Sequence, residues 1–598
     1  MTEQMTIIDR LEHNARRQGA RPAIHDKLTG TWRTRNWREY NLATRRFAKG
    51  LMSADLGEGD PVAILGANRP EWTIAALAAM RIGGIAAGIY TTCSPEEIGY
   101  ILGHSEATVI VVENHEMVDR LLQIWDSVPT LKTVILMEGA GEHPDPRVIA
   151  WDDVIAAGAP VTDEDLDARQ AALRPDQVAD FIYTSGTTGP PKAVMLTHEN
   201  LEWTARTIGG TVDLHTEDVA ISYLPLSHIA EQTNSLLMPM VFGYQVYFVH
   251  NGLELAEYLP EVRPTTFFGV PRVWERFESG IKGKLAEATG AKEKIAAQAM
   301  AVSKQYIAMQ NAGQTPPKLL EAQYKAADKV VLSKVKEAIG MERCRVFVSG
   351  AAPISASSLE FFSSIGMTVT ELYGQSEGSG PTSTNLVGAN RYGTVGRAIP
   401  GVQVKIADDG EIMVTGKNIF AGYYKNQAET DAVMSDGWLH SGDLGALDSD
   451  GYLSIIGRKK DIIITSGGKN VAPQNIEEVL SGIDPIGTAV VVGDQQRFLI
   501  ALLTLDPDAS ERFAAEHRLD STTLHENPVV RARIEQAITK DVNPQMARVE
   551  HIRNFVILPN EFTTAGGELT PTLKVKRNVV SEKYAKEIAA CYEAGEAL

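Results

Sequence analysis

The segment Tyr183-Thr184-Ser185-Gly186-Thr187-Thr188-Gly189-Pro190-Pro191-Lys192 places four Ser or Thr hydroxyls, two glycines and a lysine in one short stretch. It follows an apolar run at residues 179–183, which is typical of the end of a buried strand. Glycines let backbone amides approach an anion, hydroxyls donate to phosphate oxygens, and a lysine adds positive charge. The segment therefore fits a phosphate-binding loop, and equally a flexible turn between two strands. It does not match the GxxxxGKS/T loop, because prolines precede Lys192 and Ala193 follows it.

The overall composition limits the class of protein. The 598 residues are too many for one hydrophobic core, so two or more domains are expected. A formal net charge of −19 argues against a nucleic-acid partner, which calls for a basic face. Cys93, Cys344 and Cys591 are far apart in the sequence and favour a reducing, cytoplasmic setting. No apolar run is long enough to span a membrane, while peripheral contact with the inner membrane face and the oligomeric state stay open.

The order of apolar and polar segments predicts an α/β fold. Short β-branched runs alternate with helical patterns up to about residue 275, which is typical of βαβ units and a mainly parallel sheet. Residues 276–340 are rich in Ala, Lys, Glu and Gln and predict a helical insertion, and residues 388–450 predict a small β subdomain. The alternation of strand and helix patterns restarts after Gly457. We therefore expect a large N-terminal domain at residues 1–457, with sheets flanked by helices, and a smaller α+β domain at residues 458–598.

Several motifs, in order along the chain, resemble those of one family. The segment from Tyr183 to Lys192 is similar to the YTSGTTGxPKG signature of the AMP-forming, adenylate-forming superfamily of acyl-CoA synthetases and ligases. Tyr373-Gly374-Gln375-Ser376-Glu377 resembles its YGxTE motif. Further blocks are Ser441-Gly442-Asp443, Gly457-Arg458-Lys459-Lys460-Asp461 and Gly467-Gly468-Lys469-Asn470. The resemblance covers about residues 20–590, and segments 263–275, 466–474 and 569–577 are similar to the long-chain fatty acyl-CoA synthetase branch, in particular its bacterial members.

The resemblance implies a two-step reaction. The carboxylate of a long-chain fatty acid attacks the α-phosphorus of ATP, giving acyl-AMP and diphosphate. The thiol of coenzyme A then displaces AMP and forms acyl-CoA. Fatty acid, ATP and CoA are the expected partners, and Mg²⁺ is the expected cofactor. The family's fold also implies that the C-terminal domain is mobile and rotates between the two steps.

The same resemblance assigns an ATP site. Thr184 and Glu377 would hold Mg²⁺, Tyr373 would stack on adenine, and Asp443 and Arg458 would contact the ribose. For Tyr373, ordinary core packing is the alternative. The residues expected around ATP are Thr184, Ser185, Gly186, Thr187, Thr188, Gly189, Lys192, Gly350, Ala351, Ala352, Tyr373, Gly374, Gln375, Ser376, Asp443 and Arg458.

The same resemblance assigns catalytic roles to Lys574, Glu377 and His228. Lys574 matches the family's lysine that reaches the α-phosphate and the attacking carboxylate, although Leu573 precedes it where glycine is usual. The alternative interpretation of Glu377 is an exposed loop carboxylate without a role in the reaction. His228 matches a position near the acyl carboxylate, and a hydrogen-bonded structural histidine is its alternative.

Four further residues are assigned to the hinge, the CoA path and the acyl channel. Lys460 matches the hinge between the domains, with a surface linker as the alternative. Gly467 and Gly468 would line the path of the CoA pantetheine. Trp274 resembles the aromatic gate of an acyl channel, and it fits a packed core tryptophan nearly as well.

Two other functions stay open. The first is a fatty acyl-AMP ligase that loads a carrier protein, although the block at residues 467–474 favours CoA. The second is a non-catalytic protein that binds acyl groups or nucleotides. Such a protein would have lost the catalytic groups, whereas Glu377 and Lys574 are both present.

Overall fold

The computed structural model of the chain describes residues 5–138, 143–184, 190–570 and 574–597. It confirms the α/β prediction, with a large N-terminal part of mixed sheets and helices and a smaller C-terminal part. None of the helices in these ranges combines the length and the apolar character needed to cross a membrane. The N-terminal helices include Ile7–Arg17, Trp37–Ser53, Pro70–Arg81, Pro95–Ser105, His115–Leu122, Trp151–Ala157, Asp163–Ala171, His198–Thr211, Ile229–Gln232, Met238–Phe242, Leu255–Val262, Ala356–Ser364 and Gln427–Val433.

An eight-stranded sheet forms the centre of the N-terminal part. Its strands lie in the order Gly422–Tyr423, Lys192–Thr197, Val178–Thr184, Ile85–Ile89, Pro61–Leu65, Val109–Val112, Thr133–Leu136 and Val148–Ala150. The last six are parallel, and Lys192–Thr197 is antiparallel to Val178–Thr184. A separate hydrophobic core lies on each face of this sheet, and the side chains of one strand alternate between them. Val62 and Ile64 pack on one face, Ala63 and Leu65 on the other. Both faces are covered, which explains why these strands are apolar throughout.

Two more sheets and the small β subdomain complete the N-terminal part. One sheet has the order Thr266–Gly269, Val346–Gly350, Val369–Gln375, Gly380–Thr384 and Arg397–Ala398, and the other Val219–Ser222, Gln245–Phe248, Pro22–Asp26 and Arg33–Asn36. The β subdomain contains Gln403–Ile406, Glu411–Thr415, Met434–Ser435, Trp438–Leu447 and Leu453–Arg458. Strands Val178–Thr184 and Val369–Gln375 end with the two signature motifs, so each sheet presents its motif at a strand terminus.

Helices fill the predicted insertion. Pro271–Ala286 is followed by an antiparallel hairpin of Ala291–Asn311 and a second helix, which runs through Lys318–Ala327, a π-helical turn at Asp328–Leu332 and Ser333–Ala338. The ring of Tyr306 stacks on that of Tyr324 with centroids 4.1 Å apart and holds the two helices together.

The C-terminal part is built on the strands Ile486–Val492, Leu499–Leu505 and Ile552–Ile557. Helices Pro473–Ser481, Pro507–His517, Pro528–Ala537, Arg577–Lys583 and Ala585–Glu593 cover it, and a two-stranded ribbon joins Ile463–Ile464 to Asn470–Val471. Arg272, at the start of the insertion, donates to the carbonyl of Gly487 at 3.3 Å and lies 3.7 Å from the carboxylate of Asp506. Such half-exposed contacts contribute about 1 kcal/mol or less, so they hold the two parts together weakly.

Trp274 lies in the hydrophobic core of the N-terminal part. Its side chain is fully buried, its indole N–H donates to the carbonyl of Gly269 at 3.2 Å, and its ring packs edge-on against Phe267 and Phe362. This placement corresponds to the core alternative rather than to the gate that the resemblance implied.

We expect Trp274→Ala to lower the free energy of unfolding by about 3–5 kcal/mol, because it leaves a large cavity among aromatic rings. Thermal or urea unfolding measures the loss, and Trp32→Ala is the matched control because Trp32 is only partly buried. A gate residue would instead change the preference for acid substrates while leaving stability nearly intact, and that result would contradict the core role.

Candidate active site

A cavity of about 760 Å³ lies between the signature strands, the β subdomain and the turn that carries Lys574. That volume is ordinary for a small-molecule site. The cavity has two chemically different regions. Charged side chains line one of them: Lys192, Glu377, Glu411, Glu429, Arg458, Lys459, Lys460, Asp461 and Lys574. Apolar side chains line the other: Ile208, Val212, Leu214, Met238, Phe268, Val346, Val348 and Leu372.

The carboxylate of Asp443 connects three segments beside the charged region. The hydroxyl of Tyr373 donates to Oδ2 at 2.7 Å, and the side-chain amide of Gln375 donates to the same oxygen at 2.6 Å. Arg458 lies 3.0 Å from Oδ1. Burial lowers the pKa of Arg458, but the negative charges of Asp443 and Glu377 outweigh it and raise the pKa overall. Asp443 is thus a charge-paired hydrogen-bond acceptor at the edge of the cavity.

Gly374 explains why this motif can approach its neighbour so closely. A Cβ atom at Gly374 would lie 1.7 Å from the carbonyl oxygen of Gly380 on the adjacent strand. A side chain at this position would therefore push the two strands apart and displace the neighbouring Tyr373 and Gln375.

Glu377 is oriented by Tyr423, a residue that no sequence motif singles out. The hydroxyl of Tyr423 donates to Oε1 of Glu377 at 2.7 Å. Nearby, the ammonium of Lys192 contacts Glu429 at 2.5 Å and lies 5.2 Å above the ring of Tyr423. Tyr423 thus occupies one carboxylate oxygen of Glu377, while Lys192 is held by a neighbouring carboxylate.

Lys574 enters the cavity from the C-terminal part. Its backbone N–H donates to the hydroxyl of Thr570 at 3.0 Å, and its carbonyl accepts from the Thr570 N–H at 2.7 Å. Its residue is exposed by surface area, and its side chain lines the cavity, where neighbouring groups displace part of its hydration. Loss of hydration and the nearby charge of Arg458 lower the pKa of Lys574, although Asp443 and Glu377 act in the opposite direction. The charges that act on the amine are therefore those of Arg458, Asp443 and Glu377.

His228 also lines the cavity. It begins helix Ile229–Gln232, and its Nδ1 accepts from the backbone N–H of Ala230 at 3.1 Å. Because Nδ1 accepts this bond, the proton of the neutral ring is on Nε2. Burial, followed by the charge of Lys574, lowers the pKa of His228 to about 4. The ring is therefore a neutral hydrogen-bond donor at neutral pH.

The other predicted site residues divide into three groups. Thr184, Ala351, Gln375, Ser376 and Lys460 line the cavity together with Lys192, Gly374, Glu377 and Arg458. Gly350, Ala352 and Tyr373 adjoin it without being among its lining residues, and Tyr373 points its hydroxyl at Asp443. Ser185, Gly186, Thr187, Thr188 and Gly189 lie outside the described residues.

Gly467 and Gly468 are not brought to this cavity. They lie in an exposed turn closed by a hydrogen bond from Gly468 N–H to the carbonyl of Thr465 at 2.8 Å. Trp274 is also absent from the lining. In this arrangement of the two parts, the charged region therefore receives Lys574 and not the Gly467–Gly468 turn.

Sequence reasoning missed Tyr423, Glu429 and Thr570. Tyr423 and Glu429 come from a short strand and helix that reach the cavity only through the antiparallel pairing of Gly422–Tyr423 with Lys192–Thr197. A Gly-Tyr-Tyr sequence carries no local sign of that pairing. Thr570 is four residues before Lys574, and a hydroxyl at that spacing beside a proline in the sequence was the available signal.

Comparisons with known proteins identify the family. Residues 11–424 match the family of AMP-binding enzymes, and residues 460–596 match the C-terminal domain of AMP-binding enzymes. The chain belongs to the family of AMP-binding enzymes.

Its curated relatives include long-chain-fatty-acid–CoA ligase ACSBG2 of Xenopus laevis, 36% identical over 98% of this chain and 84% of the relative. Another is long-chain-fatty-acid–CoA ligase ACSBG1 of Homo sapiens, 37% identical over 96% of this chain and 83% of the relative. These relatives are vertebrate proteins, so the expected similarity to bacterial members stays a prediction. Among solved structures, the O-succinylbenzoate coenzyme A synthetase of Bacillus subtilis in complex with ATP and magnesium ion has a TM-score of 0.67 at 20% identity, covering 95% of this chain and 98% of that one.

We expect His228 to stay neutral, with the proton on Nε2, from about pH 8 down to about pH 5, because its pKa in the folded protein is about 4. The unfolded chain takes up this proton near the ordinary value of 6.5, so the contribution of His228 to stability is full above that pH and is lost as the pH falls toward 4. Titration of ¹⁵N-histidine-labelled protein by NMR measures this, with His228→Gln identifying the signal. An imidazolium signal for His228 at pH 6 would contradict the assignment.

Proposed function

We propose that this chain is a long-chain fatty acid–CoA ligase, which converts ATP, a long-chain fatty acid and CoA into acyl-CoA, AMP and diphosphate through an acyl-adenylate. The names of relatives that are 36–37% identical over nearly the whole chain support the proposal. The free thiols of Cys93, Cys344 and Cys591 fit a reducing, cytoplasmic setting for the reaction.

One observation carries the proposal: charged side chains, apolar side chains and His228 line a single cavity. A fatty acid needs such a site, since its carboxylate must meet ATP while its chain must leave water. The apolar lining includes Ile208 of helix His198–Thr211 and Val212, the residue that follows this helix. The acyl chain would lie there, and the carboxylate would reach Lys574.

In the first step, the carboxylate oxygen bonds to the α-phosphorus and diphosphate leaves. Two anions approach each other, so the main task of the protein is to neutralise and align charge. Lys574 and Arg458 supply positive charge, and Asp443 accepts hydrogen bonds from the ribose hydroxyls. His228, neutral with its Nε2–H free to donate, would stabilise the carboxylate or the acyl-adenylate without adding a second charge beside Lys574.

The described residues fit a magnesium ion bound jointly with ATP. Glu377 offers a carboxylate oxygen besides the one that Tyr423 occupies, and Thr184 offers a hydroxyl, both of which are hard oxygen ligands. Mg²⁺ keeps several water ligands and binds through few protein oxygens, so two such side chains would be enough beside the phosphates of ATP. Mg²⁺ would supply charge neutralisation at the phosphates. Tyr423 would keep Glu377 oriented toward it.

In the second step, the CoA sulfur bonds to the acyl carbon, AMP leaves and the thiol proton is released. We propose that the C-terminal part rotates about Lys460 before this step, which withdraws Lys574 and brings the Gly467–Gly468 turn toward the cavity. Weak interdomain contacts such as that of Arg272 with Asp506 fit a rotation of this kind.

We expect purified protein to form palmitoyl-CoA, AMP and diphosphate from palmitate, ATP, Mg²⁺ and CoA, with activity falling steeply for short-chain acids that leave the apolar region empty. Chromatography of the CoA thioesters across a series of chain lengths measures this. Formation of acyl-AMP without any acyl-CoA would favour a ligase that loads a carrier protein, and the absence of any fatty-acid-dependent pyrophosphate exchange would refute both activities.

We expect Lys574→Ala to reduce acyl-AMP formation by at least about 100-fold, because one preorganised charge contact is worth several kcal/mol in the transition state. Conversion of supplied acyl-AMP and CoA into acyl-CoA should stay near the unmodified rate, since Lys574 is withdrawn for that step. Lys576→Ala is the matched control, as Lys576 is not among the residues lining the cavity. Equal losses in both half-reactions would contradict the role of Lys574.

A further inference from the structure

The helical insertion has a charge opposite to that of the whole chain. Between residues 276 and 340, eleven Lys or Arg stand against six Asp or Glu, whereas the chain as a whole carries −19. This segment lines none of the active-site cavity. Its positive charge therefore has no role in the proposed reaction, and it marks a surface suited to an anionic partner.

The second helix of the hairpin exposes apolar side chains on the side opposite its packed one. Leu320 and Leu332 are buried, while Leu319 is 72% exposed and Val330 is 54% exposed. Ala322 and Ala326 are exposed as well. Residues 319, 322, 326 and 330 recur at intervals of three and four, so they follow one side of the helix over about 16 Å. We call these four residues the outer stripe.

Lysines flank the outer stripe. Lys318, Lys329 and Lys334 are exposed, and none of them forms an ion pair within the part of the chain that the structure describes. Lys325, by contrast, is paired with Glu321 at 2.5 Å. The first helix of the hairpin adds Ile295, which is 53% exposed.

We propose that the outer stripe and its lysines dock this protein on the surface of an anionic lipid bilayer. Apolar side chains on a basic helix enter the boundary between headgroups and acyl chains, while lysines contact lipid phosphates. The stripe consists of four side chains, two of them alanines, which is too little apolar surface for the standard interface of about 800 Å² per partner that a stable protein complex buries. A bilayer needs no complementary pocket, and its negative charge attracts this face while it repels the acidic remainder of the molecule.

The test measures binding of the full-length protein to lipid vesicles by flotation, with phosphatidylcholine alone or mixed with phosphatidylglycerol, at low and high salt. One variant is Lys318→Glu with Lys329→Glu, and a second is Leu319→Ser with Val330→Ser. The matched controls are Lys540→Glu with Lys586→Glu and Leu253→Ser with Val529→Ser, since all four control residues are exposed in other parts of the chain. Thermal unfolding verifies that each variant is folded.

The unmodified protein should bind the mixed vesicles, and less tightly as salt rises. Reversing the two lysines should weaken binding at least about 20-fold, since each basic residue near the membrane contributes on the order of 1 kcal/mol, or fivefold. The serine pair should weaken it several-fold, both controls should bind like the unmodified protein, and ligase activity in detergent-free solution should not change. No binding to the mixed vesicles, equal binding to phosphatidylcholine alone, or an equal loss in the controls would overturn the proposal.

Discussion

The carboxylate of Asp443 is the interaction on which the cavity depends. It accepts hydrogen bonds from Tyr373 and Gln375 and pairs with Arg458, so it joins the second signature motif to the last strand of the β subdomain. That strand runs directly into the turn at Lys459–Asp461 and then into the C-terminal part. Loss of Asp443 would leave Arg458 without its partner beside Lys574, two positive charges at the same edge of the cavity. The geometry of the nucleotide end and the path of the chain between the two parts thus rest on one side chain.

A second constraint on the cavity is electrostatic. Anionic substrates must enter a protein of net charge −19, and the structure meets this with cations that are already paired. Lys192 contacts Glu429, and Lys459 contacts Glu411 at 3.0 Å. A phosphate can replace such a carboxylate as the partner of the lysine. Each lysine therefore has a counter-charge both before and after the nucleotide binds. The cavity therefore exchanges one set of ion pairs for another when a nucleotide binds.

Local sequence patterns were sufficient for the fold class and for much of the charged region. Strand–helix alternation predicted the parallel sheet, and the motif residues Gln375, Glu377, Arg458 and Lys574 do line one cavity. Trp274 shows where a local pattern is ambiguous, because an aromatic residue after a strand fits a channel wall and a core nearly equally well. The packing of its ring against Phe267 and Phe362 is visible only in three dimensions. Tyr423 could not be predicted from the sequence for a different reason. Its role depends on the pairing of two strands more than two hundred residues apart, which no local spacing encodes.

The close approach at Gly374 also determines how this cavity can evolve. The wall formed by the second signature motif has no space for an additional side chain, since even a methyl group there would overlap the backbone of Gly380. The apolar lining includes Ile208 of helix His198–Thr211 and Val212, which follows this helix, and these side chains can change size without moving a strand. In the proposed function the acyl chain contacts Ile208 and Val212, so mutation there would alter the preference for shorter, longer or branched acids while the backbone at Gly374 stays unchanged. Selectivity for the acid could then drift without altering the strands of the second signature motif.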